Sequence, residues 1–185
     1  MEKKANSLME RSGMRLTTGR MVLLAMLVGM NVVLGRFSIQ ITSEVRLSIV
    51  GFLPIALAGS LMGPMYGAMT GALGDFLNYL LFNHAYGAYF PGYTLTALLS
   101  GWWYGMVLYR RDLSWKRAAL CIAPVILLGE IGLNSVWTYM LYSKTFWVKL
   151  PLRMVTNVIE MPLKTLLLMG MARLIGRIPK SYLRL

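Results

Sequence analysis

Arg153, Asn157, Glu160 and Lys164 interrupt "LPLRMVTNVIEMPLKTLLLMGMARLIG", residues 150–176, a stretch most of which is as apolar as a membrane helix. At about 100° per residue they point within roughly 60° of one another, so they form one stripe. A second set, Glu130, Asn134 and Trp137 in "GEIGLNSVWTYMLY", is spaced four and three and is expected on one helical face. A third, Asp75 with Asn78, lies one turn apart in another apolar run. A carboxylate in such a run is costly and faces a polar cavity or a partner. Cations, amides and an indole together suit an amphipathic anion: cations hold carboxylates, an aromatic face holds a flat ring, and amides or carboxylates hold ring nitrogens. The competing use of the stripe is structural, with Glu160 paired to Lys164 or Arg153.

Covalent chemistry is not indicated. The sequence has no HExxH, no GxSxG and no cysteine–histidine pair. Its single histidine, His84, has no metal-ligand partners nearby, and its single cysteine, Cys121, forms neither an internal disulfide nor a CxxC site. Asp75 and Glu130 do not make an intramembrane aspartyl protease, because no second aspartate lies in any apolar run. Gly63, Gly67, Gly71 and Gly74 form a ridge without GKS or GKT, so they predict close helix packing and no phosphate loop. The chain is expected to be no enzyme and to carry no cofactor or metal.

The elements that must hold these residues are transmembrane. The 185 residues are 57% hydrophobic and 14% charged, with a mean hydropathy of +0.58, whereas soluble domains carry about a quarter charged residues. A net charge of +12 first suggests nucleic acid or anionic lipid. The charges fall between apolar runs, however, so no nucleic-acid partner is expected. Spanning a bilayer takes roughly 20 apolar residues, and six stretches approach this: 20–37, 47–62, 65–82, 93–109, 118–142 and 150–175. The predicted fold class is an all-α integral membrane protein of six transmembrane helices. It divides into a basic leader at 1–19, a six-helix domain at 20–176 and a tail at 177–185. Lys3, Lys4, Arg11, Arg15, Arg20, Arg110, Arg111, Lys116, Arg117, Arg173, Arg177, Lys180 and Arg184 fall on one side of this arrangement. That excess predicts both termini in the cytoplasm. Arg36, Arg46, Lys144, Lys149 and Arg153 then sit at the outer mouth.

Two further features concern access and partners. The connection after the third span, "FNHAYGAYFPGYT", is too aromatic for a solvated turn and reads as an interfacial cap or lid. In the first span Ala25 and Gly29 lie four apart on one face, flanked by Asn31 and Gly35. Small residues at that spacing allow another helix to approach closely.

"RLSIVGFLPIALAGSLMGPMYGAMTGALGDFLNYLLF", "AYFPGYTLTALLSGWWYGMVLYRR" and "LNSVWTYMLYSKTFWVKLPLRMVTN" resemble the folate-specific S component of energy-coupling factor transporters. The resemblance runs from the second span to the sixth, and "YFPGYTLTA" is its most specific block. It implies a six-helix subunit in the bacterial cell membrane that binds folate from outside. Such a subunit pairs with a membrane scaffold and two ATP-binding subunits, and topples in the bilayer to release the vitamin inside. The small-residue face of the first helix would dock on the scaffold; the family has alanine at both places, where this chain has Ala25 and Gly29. Residues 38–45 and 83–92 would gate the pocket, and Phe90, Pro91, Gly92, Tyr93 and Thr94 fall on the loop motif beside His84 and Tyr89. Arg36, Asp75, Asn134, Trp137, Arg153 and Asn157 would line the pocket, with Arg153 attracting the glutamate carboxylates and Asn157 and Asp75 holding the pterin edge. A thiamine-type S component and a scaffold protein with a purely structural stripe are the alternatives; the cationic mouth disfavours the first.

Overall fold

The computed structural model describes residues 17–37, 39–40, 46–47, 49–82, 89–111, 114–141 and 146–176. Six helical rods run alternately up and down: α1 Thr18–Gly35, α2 Leu53–Met62, α3 Pro64–Phe82, α4 Pro91–Leu108, α5 Trp115–Leu141 and α6 Phe146–Gly176. Between α1 and α2, β1 (Ile39–Gln40) pairs antiparallel with β2 (Arg46–Leu47), with Ile39 opposite Leu47 and Gln40 opposite Arg46. This hairpin shares the upper end of the bundle with Phe82, Pro91, Leu141 and Phe146. The leader before Thr17, the loop at 83–88 with His84, most of the 38–45 loop and the tail lie outside the described residues.

Helix starts follow local chemistry. Prolines occupy the first turns of α2 and α4, where a missing N–H costs no hydrogen bond. Ser114 caps α5 by accepting the Arg117 N–H at 3.4 Å. At the lower turn Gly63 takes φ +111°, a conformation that glycine adopts without steric cost, and Pro64 immediately restarts the helix as α3. The second predicted span needs correction. Its first residues do not enter the helix: Leu47 belongs with Arg46 to β2 and residues 49–52 turn, so α2 has ten residues. That is half of what a bilayer crossing takes; Leu47 belongs to the hairpin and residues 49–52 to the turn.

Glycine governs how the rods meet. Added Cβ atoms at Gly67 and Gly101 would each run into the other residue's carbonyl, one at Gly71 would meet the Ala97 carbonyl, and one at Gly59 would lie 2.8 Å from the Gly105 nitrogen. Thus α2, α3 and α4 touch backbone to backbone. On the far side of α3, Gly74 leaves the space that the Asn31 side chain fills, and Asn31 Nδ2 donates to the Gly51 carbonyl at 2.7 Å. Asn31 therefore anchors α1 inward, whereas Ala25 and Gly29 of the same helix face outward, with open space around Gly29.

Two apolar cores flank this seam. Leu24, Leu27, Val28, Ala58, Met62 and Tyr66 fill the space among α1, α2 and α3. Phe52, Ala56, Tyr104, Cys121, Ile122, Ile126 and Leu168 do so among α2, α4, α5 and α6. The outside is equally apolar: Met26, Leu128, Met140 and Val158 are 66–70% exposed, a surface suited to lipid and unsuited to water. By length and composition, α1 (18 residues, hydropathy 1.6) and α5 (27 residues, hydropathy 1.8) can each cross a membrane.

Overpacking a filled contact typically costs about 1–3 kcal/mol. Gly101→Val is expected to cost at least that, because backbone cannot yield as a side chain does. Gly29→Val, with open space before it, should be close to neutral. Thermal unfolding midpoints in detergent check both; equal midpoints would mean that the seam is not close-packed.

Candidate functional site

The upper end of α4 builds the site. Phe90 precedes Pro91 in extended conformation (φ −120°, ψ 114°), which turns its ring back over the first helical turn. Gly92 admits this: a Cβ there would strike the Phe90 ring and come within 2.7 Å of the Trp137 indole. Phe90 and Trp137 consequently pack with ring centroids 5.6 Å apart, and Phe90 meets Tyr93 edge-on at 6.0 Å. Burying an indole calls for an acceptor, and Trp137 Nε1 donates to Thr96 Oγ1 at 3.1 Å; Thr96 in turn donates to the Gly92 carbonyl at 3.1 Å. Tyr93 OH donates to Thr138 Oγ1 at 3.2 Å, and Thr138 donates to the Asn134 carbonyl at 2.7 Å. Two side-chain bonds thus fasten α4 to α5.

The opposite wall is fastened to α3. The Tyr89 ring packs on Tyr79 (5.0 Å) and Phe76 (5.6 Å). Its hydroxyl donates to Thr94 Oγ1 at 2.7 Å, and Thr94 donates to Asp75 Oδ2 at 2.6 Å. Between the two walls lies an open cavity of about 580 Å³, lined by Tyr89, Phe90, Pro91, Gly92, Thr94, Leu95, Leu98 and Trp137. Its size is that of a small-molecule site, mostly apolar with a few fixed polar groups.

Of the predicted residues, Trp137 and the motif from Tyr89 to Thr94 come together, with Tyr93 packed just behind. Asp75 stands behind Thr94 and reaches the cavity through it. Asn134 contributes its carbonyl to the α4–α5 fastening, and the neighbouring Ser135 Oγ, 6% exposed, has no hydrogen bond among the described residues. Arg36 lies elsewhere, its guanidinium 4.6 Å over the Phe82 ring where α1 and α3 end. Asn157 is buried in α6 at 3% exposure and does not line the cavity. The side chains of Arg153, Lys149, Lys144 and His84 lie outside the described residues.

The stripe on α6 splits into two parts. Lys164 Nζ pairs with Glu160 one turn above it and with Glu130 Oε1 of α5 at 3.0 Å. Glu160 and Lys164 are each 2% exposed. The structural use of these charges is therefore realised, with Glu130 as a second partner. Glu130 and Trp137 do not share a face as their spacing suggested: one serves α6 and the other α4. The sequence reading passed over Thr96 and Thr138, although a hydroxyl four residues after Gly92 was the available acceptor for an indole on the next helix.

Comparisons with known proteins agree on the class of molecule. The family model described as ECF transporter, substrate-specific component, matches residues 19–172. Folate transporter FolT of Clostridium novyi is 31% identical over 159 residues, 85% of this chain and 90% of its own. Folate transporter FolT of Leuconostoc mesenteroides is 31% identical over 156 residues, 81% of this chain and 82% of its own. A crystal structure of FolT bound with folic acid superposes with a TM-score of 0.77 at 30% identity, covering 85% of this chain and 95% of that one. Six apolar helices and a match over residues 19–172 place it in the membrane, and the chain belongs to the substrate-specific components of ECF transporters.

Proposed function

We propose that this chain binds a folate from the outer side of a bacterial membrane and delivers it inward as the S component of a vitamin importer. The observation that carries the reading is the likeness, at 30% identity over 85% of the chain, to a FolT bound with folic acid. The cavity is compatible with it: Phe90 and Trp137 offer flat apolar faces to a pterin or benzoyl ring, and Tyr89 and Thr94 supply fixed hydroxyls at its margin. Arg153 near the start of α6 attracts the glutamate carboxylates, and Asp75 acts behind Thr94; Asn134 and Asn157, which do not line the cavity, reach the heterocycle only when the ligand enters between α5 and α6. In this reading residues 38–45 and 83–92 act as the gates. Both termini are cytoplasmic in this reading, which puts the hairpin end outside.

The chain supplies binding, and ATP hydrolysis comes from two partner subunits joined through a membrane scaffold. The outward face of α1 is suited to that scaffold. Ala25 and Gly29 interrupt an exposed row of Met21, Val22, Met26, Met30 and Val33, so a partner helix can approach the α1 backbone. Docking would let the subunit topple and release its vitamin.

Titration of intrinsic tryptophan fluorescence with folate is expected to show saturable one-to-one quenching that thiamine and riboflavin do not compete. Losing a charge-assisted hydrogen bond costs about 1.5–3 kcal/mol, so Arg153→Ala and Asn157→Ala should each weaken binding roughly ten- to a hundredfold. Wild-type affinity in both variants would refute this pocket assignment, and a response to another vitamin in place of folate would change the substrate. Gly29→Trp should leave folate affinity unchanged and abolish co-purification with the scaffold; a retained complex would move docking to another face.

A further inference from the structure

Helix α5 does not keep α-helical pitch. From Val125 to Leu133 it is a π-helix, and the Asn134 N–H still reaches five residues back to the Gly129 carbonyl. The segment begins directly after Pro124, whose ring nitrogen cannot donate. Nine residues of π-helix are unusual, since this geometry normally appears as a single turn inside an α-helix, often at a functional site. Each π turn holds one residue more than an α turn, so everything beyond Leu133 is rotated back from where an unbroken α-helix would aim it. The consequence is the divergence already described. Glu130, inside the segment, meets Lys164 of α6, while Trp137 and Thr138, just beyond it, meet Thr96 and Tyr93 of α4.

A less favoured helix form persists when the surroundings fix it from both sides. On the α4 side, Trp137 and Thr138 are the fixed points. On the α6 side the fixed point is the charge-assisted bond from Lys164, itself held by Glu160 and buried to 2% exposure. We propose that Glu130, tied to Lys164, is a positioning residue: it keeps the π segment in register and thereby aims the Trp137 indole into the cavity. Relaxation of the segment toward α pitch would turn Trp137 away from Thr96 and from the Phe90 ring. Neither Glu130 nor Lys164 lines the cavity, so their effect on a ligand is transmitted through the helix. The affinity part of this inference rests on the folate reading; the orientation of Trp137 does not.

The test uses full-length protein in detergent, labelled with 5-fluorotryptophan. Trp137 is identified by the fluorine resonance that Trp137→Phe removes. Glu130→Ala cuts the tether yet leaves Glu160 and Lys164 as a neutral pair, so no lone charge is stranded in the bundle. Without ligand, the Trp137 resonance should shift or broaden while those of Trp102, Trp103 and Trp115 hold. Folate should bind about two- to thirtyfold more weakly, the range of couplings that act through intervening structure. Glu130→Gln, whose amide oxygen still accepts from Lys164, should restore both readouts. An unmoved Trp137 resonance in Glu130→Ala overturns the proposal, even if affinity falls. Equal displacement in Glu130→Gln also overturns it, because charge and not the tether would then be the cause. If Glu130→Ala does not fold, Glu130→Asp replaces it: a carboxylate withdrawn by one methylene must move the resonance, and an unmoved one overturns the inference. Wild-type protein that ignores folate, while Trp137 still follows Glu130, discards the vitamin and keeps the positioning.

Discussion

Lipid tails are as apolar as the helices they surround, so burial from water cannot press α3 against α4; the gain must come from contact itself. Dispersion falls steeply with distance, and a backbone brought within touching range gains what bulky side chains would forfeit. Gly67 against Gly101, Gly71 against Ala97 and Gly105 against Pro64 make that approach along the lower part of both helices. Everything at the upper end inherits its position from this seam. It sets the distance at which Thr94 can donate to Asp75 across the two helices, and it fixes the first turn of α4, on which Phe90 folds back. A seam looser by one methyl group would carry Thr94 out of reach of its carboxylate partner.

Charge is handled at two places, one across α3 and α4 and one across α5 and α6. An isolated ion in a bilayer is expensive, and pairing with hydrogen bonding is what makes it tolerable. Asp75 has the Thr94 hydroxyl, itself polarised by Tyr89, so a carboxylate in α3 stabilises a loop on α4. Lys164 sits between Glu160 and Glu130 and draws α5 to α6. The same requirement therefore organises both walls of the cavity: one clasp at its Tyr89–Thr94 side, and one beneath the helix that carries Trp137. Polar residues in this chain fasten helices first, and the cavity is what their placement leaves between them.

Much of this was legible in the sequence, for definite reasons. The glycine ridge could be read as close packing because glycine at every third or fourth position of an apolar run offers no side chain for anything else. Pro91-Gly92 could be read as the start of α4 because proline suits a first turn. Asp75 could be expected to have a partner because a carboxylate in lipid must. Two features were hidden. Apolar periodicity does not separate a short strand and turn from the start of a helix, so Leu47 and residues 49–52 read as the start of a membrane span. The facial reading of Glu130, Asn134 and Trp137 assumed 3.6 residues per turn, and a π segment changes that period without changing composition. Arg36 illustrates a different limit: a cation near an expected mouth is as readily held by an aromatic ring at a helix end, here Phe82, as by a ligand.

Helix α1 shows how one element serves two surroundings. Its inner stripe of Leu24, Leu27, Val28, Asn31 and Val32 is buried, and Asn31 is locked by the Gly51 carbonyl and the gap at Gly74. Its outer stripe of Ala25 and Gly29 is exposed, with open space around Gly29 among the described residues. An asparagine on the inner face selects one rotation of the helix, because any other would leave its amide in lipid without an acceptor. The small residues must then face outward, whatever lies there. Selection of the rotation by Asn31 is thus the physical link between the interior of the first half-bundle and the surface proposed for the scaffold. The cavity, built on α4 and α5, stands apart from that surface. Communication between them has two routes: α3, which packs on α1 with Gly74 and on α4 with Gly67 and Gly71, and α2, which shares a core with α1 and meets α4 at Gly59.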